Sequence, residues 1–133
     1  MIFIPFPIMA KYYSLVPLPE GIFKDVPLID RVVFGLIWER YRLSGYKVTG
    51  GDETWVDADG EIFCVYSHDE LARLTGTSEK TIRRALIDLR DKHCMIDWCK
   101  AAFKGSCRYY IEAAVREHMA ALRQNSKTVS DCP

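Results

Sequence analysis

One stretch, "YSHDELARLTGTSEKTIRRALIDLR" from Tyr66 to Arg90, constrains this chain more than any other. It divides at Gly76 into two helical phrases. Ser67 followed three residues later by Glu70 has the spacing of a capping box, and Leu71, Ala72 and Leu74 supply the apolar side of a short first helix. Ser78 caps a second helix, in which Ile82, Ala85, Leu86 and Leu89 fall at i, i+3, i+4 and i+7 and form one inward stripe. At about 100° per residue the opposite face carries Lys80, Arg84, Ile87 and Asp91, with Arg83 on its flank. Two short helices at a glycine turn, the second with a basic outer face, are the sequence of a helix-turn-helix.

The flanks complete the pattern. From Pro27 to Leu43 the apolar residues Leu28, Ile29, Val32, Val33, Phe34, Leu36, Ile37 and Tyr41 predict a helix buried on most sides, with Pro27 in its first turn and Gly45 as its stop. In "WVDADGEIFCVY" Asp59-Gly60 reads as a tight turn between Trp55-Val56 and a strand over Ile62 to Tyr66. Beyond Lys92, "CMIDWCK" and "CRYYI" are strand-like and "AAFKGS" turns between them, which predicts a hairpin with basic residues near its tip. A last helix from Glu112 carries Val115, Met119 and Leu122 along one side, and the composition turns polar at Asn125. Residues 1–21, punctuated by Pro5, Pro7, Pro17, Pro19 and Gly21, predict an extended arm with a short strand at Tyr12 to Val16. That arm is apolar enough to require packing on its own domain or on another chain. The expected fold class is α+β, a winged helix-turn-helix divided into arm 1–21, DNA-binding domain 22–111, helix 112–126 and flexible tail 127–133.

Composition narrows the class of function. A chain of 133 residues, 49% hydrophobic, has material for one core. Its formal net charge is zero, so an electrostatic argument rests on where the charges lie. Every charged residue from Asp52 to Glu70 is acidic, whereas Thr77 to Arg108 holds eight basic residues against four acidic ones, a net +4. "MIFIPFPIM" is broken by prolines and shorter than the roughly 20 residues a spanning helix needs, so neither signal peptide nor membrane anchor is expected. Five cysteines at irregular spacings suit reduced thiols in a cytoplasm. Cys94, Cys99 and Cys107 beside His93 lack a C-x-x-C knuckle and read as small buried thiols in strands, with no metal. No phosphate-binding loop, G-x-S-x-G elbow or H-E-x-x-H motif is present, and Asp57 and Asp59 read as turn residues. No enzyme activity and no cofactor are expected.

Duplex geometry assigns the candidate site. An α-helix fits the major groove, where outward Lys80, Arg83 and Arg84 reach base edges or phosphates. Thr77, Ser78 and Thr81 stand at the leading end of that helix, where hydroxyls and free backbone N–H groups suit phosphate. Lys100, Lys104 and Arg108 belong to the hairpin wing and suit the adjacent backbone. Ile87, on the same outward face, suits contact with protein or with a thymine methyl. The opposing expectation is a protein-interaction module whose basic face is incidental, since fold alone does not dictate function.

From about Val16 to Ile111 the chain resembles the amino-terminal domain of the replication initiator A family of plasmids and mobile elements from low-GC Gram-positive bacteria. The stretches that carry the resemblance are "VPLPEGIFKD", "FGLIWERYRLS", "WVDADGEIFCVYSHDELARL" and "TSEKTIRRALIDL", the W-V-D-x-x-G turn being the most specific. The resemblance implies a winged helix that binds double-stranded DNA at a replication origin, commonly as a homodimer using the amino-terminal region, in contact with the replication machinery. It places the recognition helix on Glu79 to Lys92 and the wing on Lys100 to Arg108. Family members continue into a second, carboxy-terminal domain where this chain has one helix and a tail, so a transcriptional regulator acting at an operator is the alternative.

Overall fold

The computed structural model describes residues 16–100 and 106–130, apart from the side chains of Lys100 and 123–130. The arm up to residue 15, most of the strand expected at Tyr12 to Val16, and Lys104 lie outside the described residues. A single 3-10 turn, Gly21–Phe23, leads into helix α1 (Leu28–Thr49). A second turn, Glu53–Trp55, precedes β1 (Cys64–Ser67), α2 (His68–Thr75) and α3 (Glu79–Ile87), and β2 (Ile96–Lys100), β3 (Ser106–Ile111) and α4 (Ala113–Ser130) follow. The sheet is antiparallel in the order β1-β3-β2, and Tyr109 of β3 lies between Cys64 on one side and Trp98 on the other. The fold is a winged helix-turn-helix.

Helix α1 is the centre of the molecule. Its residues from Val33 to Ile37 are all buried, and α2, α3, β1 and β3 pack around it. Phe34 is fully enclosed, with the Phe23 ring of the leading segment 5.1 Å away. Pro27 caps this helix rather than occupying its first turn. The helix also runs through Gly45, the expected stop, and ends at Thr49 with Gly50 as its cap. A glycine inside a helix costs about 1 kcal/mol relative to alanine. Tertiary packing offsets that here: Ser44 is buried, Ile62 lies 3.9 Å from where a Gly45 Cβ would sit, and the Lys47 ammonium lies over the Trp55 ring at 5.4 Å.

The acidic turn is built by Asp57. Its Oδ1 accepts the N–H groups of Asp59 and Glu61, each at 2.9 Å, Gly60 takes a φ of +81°, and Val56 bridges Ile62. Tyr110 on β3 donates its hydroxyl to Asp57 Oδ2 at 2.9 Å, which lays the turn over the outer face of the sheet beside Phe63 and Trp55. Those hydrogen bonds, the Glu61 N–H foremost, hold the Asp57 carboxyl below its usual range.

Two caps define the helix-turn-helix. Ser67 Oγ accepts the Glu70 N–H at 3.0 Å, and Gly76 closes α2 in the left-handed conformation, with φ of 71°. Both Gly76 and Thr77 donate their N–H groups to Ala72 O, the double closure that glycine permits without steric cost. Only half of the expected capping box forms, because the Glu70 carboxylate turns to α1. Arg40 Nη2 and Nη1 reach its two oxygens at 2.7 and 3.0 Å, Nη1 also donates to Val65 O at 3.0 Å, and the guanidinium lies 3.5 Å from the centre of the Tyr66 ring.

The Arg40 hydrogen bonds hold the Glu70 carboxyl below the ordinary glutamate range. A lowered carboxyl pKa favours the folded state above the unfolded pKa and loses that contribution as pH falls through the folded one. Glu70→Gln is therefore expected to melt below the parent protein at neutral pH. The gap should close as pH falls below the ordinary glutamate value of about 4.3. A gap independent of pH would show that the pair contributes through shape alone.

Burial separates the cysteines. Cys64 is enclosed, its thiol donates to Ile37 O at 3.6 Å, and burial pushes its pKa up to about 12. Cys107 is also buried, but Cys94 and Cys99 are exposed, contrary to the expectation of buried strand thiols. Cys94 is in the loop before β2 with φ of 53°, and Cys99 faces outward on a strand whose inner face is filled by Ile96 and Trp98. Among the described residues no group of three or more side chains has the arrangement of a metal site. Helix α4 continues to Ser130, past the boundary at 126 that its polar composition suggested.

Candidate nucleic-acid interface

Helix α3 presents the face that its periodicity dictates. Ile82, Ala85, Leu86 and Leu89 are buried, while Lys80, Arg83, Arg84 and Ile87 are exposed. The α-helical turns end at Ile87 rather than at Lys92. From Asp88 to Lys92 the chain widens into a π turn, in which the His93 N–H reaches back five residues to Asp88 O at 2.9 Å. The wider turn keeps Leu89 in the core while directing the chain into β2, and Met95 N–H donates to Leu89 O at 2.9 Å. It also brings His93 Nε2 within 3.5 Å of the buried Asp30 carboxylate in the first turn of α1. Burial raises the pKa of that carboxyl.

The leading end of α3 is tightly bonded within itself. Ser78 Oγ accepts the Thr81 N–H at 3.2 Å and lies 3.1 Å from the Thr81 hydroxyl, and the Thr77 hydroxyl lies 2.8 Å from that of Thr75. These groups first serve the turn. Ser78 remains exposed, and Glu79 and Lys80 retain the first-turn N–H groups that the Ser78 side chain leaves free.

The wing is anchored to α3 by Trp98. Its indole N–H donates to Leu86 O at 3.4 Å, its ring lies 5.9 Å from the His68 ring, and the Arg90 guanidinium sits 4.8 Å from its centre. His68, at the start of α2, has its Nε2 3.7 Å from the Cys107 sulfur of β3. Burial lowers the His68 pKa and the nearby Arg83 charge lowers it further, both favouring the neutral imidazole. Helix α3 and the base of the wing thus form one continuous surface. Arg83 and Arg90 line its inner edge, and Lys80, Arg84 and Ile87 face outward.

The expected wing contacts separate in space. Lys100 ends β2, next to the tip at 101–105, which lies outside the described residues together with Lys104. Arg108 does not stand at the tip. It is half-buried in mid-β3 with its guanidinium 4.3 Å from the centre of the Phe63 ring, on the outer face that carries the Asp57 turn. The sequence reading gave none of Arg90, Trp98 or His68 a place in the site. The available signal was the spacing of Arg90 seven residues after Arg83, two turns along one edge.

Unpaired arginines distinguish this surface among the described residues. Arg31, Arg40, Arg42, Arg73, Arg90, Arg108 and Arg116 each bind a carbonyl, a carboxylate, a hydroxyl or an aromatic ring. Among the described residues, Arg83 and Arg84 are the arginines that take no hydrogen bond, ion pair or ring, and Lys80 between Ser78 and Arg83 is likewise exposed and unpaired.

No protein-family model and no curated protein matches the sequence. The fold, however, is shared with solved structures. An N-terminal domain of a DNA-binding protein is 14% identical with a TM-score of 0.53, covering 84% of this chain and 83% of that one. An MDR initiator is 16% identical with a TM-score of 0.52, covering 84% and 86%. A Rep–DNA complex is 13% identical with a TM-score of 0.50, covering 84% and 83%. The chain therefore shares its fold with these three structures. Among the described residues, no helix is long and apolar enough to cross a membrane.

Proposed function

We propose that this protein binds double-stranded DNA in a sequence-specific manner through α3 and the wing, as a replication-initiator-type protein of a plasmid or mobile element. The observation that carries this reading is the pair of unpartnered arginines, Arg83 and Arg84, with Lys80, on the exposed face of the second helix of a helix-turn-helix. A helix of this kind enters the major groove with its outer side chains on base edges. Lys80, Arg83 and Arg84 make the groove contacts. Thr77, Ser78, Thr81, Lys100 and Lys104 serve phosphates at the two flanks, and Arg108 contributes positive potential behind the wing. Membership of the replication initiator A family of Gram-positive bacteria, a homodimeric state, a cytoplasmic site of action and the absence of catalysis belong to the same reading. It draws support from the matching sequence stretches and from the fold shared with initiator domains.

Fluorescence anisotropy against short duplexes from the protein's own replicon, across a salt series, tests the reading. Each phosphate neutralised by a Lys or Arg contributes about −0.9 to the slope of log K against log salt, so the two wing lysines predict a slope of about −2, and each of Lys80, Arg83 and Arg84 that sits against a phosphate adds about −0.9 to it. Flat anisotropy at low salt with every duplex would eliminate DNA binding and favour a protein-interaction module.

A further inference from the structure

We infer that Ile87 is a specificity-determining residue that reads the C5-methyl group of a thymine in the major groove. This rests on the duplex-binding reading above and names which base feature the outer face of α3 recognises. Ile87 is 39% exposed although the other apolar residues along α3, Ile82, Ala85 and Leu86, are buried. Its neighbours one turn back are Arg83 and Arg84, and Lys80 lies two turns back on the same ridge. One turn on, the exposed Asp91 carboxylate is paired with Arg90, and one apolar side chain between these charged groups is too small a patch for a protein interface, which buries about 800 Å² per partner. Base pairs offer one apolar group on the floor of the major groove, the thymine methyl, and aliphatic side chains contact it. The flanking arginines suit guanine, so the ridge is built to read a thymine next to one or more guanines.

The test uses the full-length protein and duplexes enriched from a random pool by its own binding. Each thymine of the enriched site is replaced singly by deoxyuridine, which removes the methyl and keeps the base-pairing edge. At one thymine per half-site the parent protein should lose about fourfold in affinity, the worth of one buried methyl. Ile87→Ala should lose at least as much on the thymine duplex and bind the thymine and uracil duplexes equally, while Ile87→Val keeps most of the discrimination. Circular dichroism confirms that these exposed substitutions leave the fold intact. If the parent protein is indifferent to uracil at every position, or if Ile87→Ala still discriminates, the Ile87 assignment falls while duplex binding stands. An Ile87→Ala variant with unchanged DNA affinity and weakened self-association would reassign the residue to a protein contact. If no duplex is enriched at all, the DNA-binding reading fails and this one with it.

Discussion

Replacing Arg83 and Arg84 together by alanine is expected to lower affinity for a recognised duplex about 100-fold or more, with the melting temperature unchanged within a few degrees. Each arginine that makes a bidentate base contact is worth about 1–3 kcal/mol. Neither side chain supports the fold, since both are exposed and unpartnered, and surface changes of this kind stay within about 0.5 kcal/mol. Arg42→Ala and Arg73→Ala, which remove cations paired within single helices, provide the comparison. They should leave DNA affinity nearly unchanged at fixed salt. A double variant that bound DNA normally would remove α3 from the interface. One that unfolded would show that the helix face had been assigned wrongly.

Phe34→Ala is expected to destabilise the protein by about 3–5 kcal/mol, a large share of the 5–15 kcal/mol typical of a single domain. Phe34 is fully buried at the middle of α1, against Phe23 from the leading segment. Truncation opens a cavity at the point where the helix-turn-helix, the sheet and that segment all meet α1. Urea or thermal unfolding measures it directly, as a fall of about 10 °C or more in Tm. A loss below about 1 kcal/mol would mean that α1 is not the centre of the core.

Features governed by local chemistry were legible before any coordinates. Ser67, Ser78, Gly76 and the Asp59-Gly60 turn each act on backbone within a few residues, and the structure bears each of them out. The inward stripe from Ile82 to Leu89 followed from helical repeat alone. Features that depend on distant neighbours were misread. Gly45 failed to stop α1 because packing near Ile62 outweighs its helix cost, and Glu70 left its own capping box for Arg40, thirty residues away in sequence. Arg108 was placed with the wing tip from its position in the hairpin, yet strand register sets it opposite Val65, beside Phe63.

The candidate site divides along the same line. That α3 is amphipathic, with Lys80, Arg83, Arg84, Ile87 and Asp91 outward, was readable before any coordinates, because a period of 3.6 residues is intrinsic to the backbone. The sequence could not determine which cations are free. Arg83, Arg84 and Arg90 are alike in composition, and only the tertiary fold lays Arg90 over Trp98 while leaving the other two exposed and unpaired. The reason is physical: a charged side chain takes whatever partner lies within a few ångströms, and such distances between remote segments exist only once the core has closed.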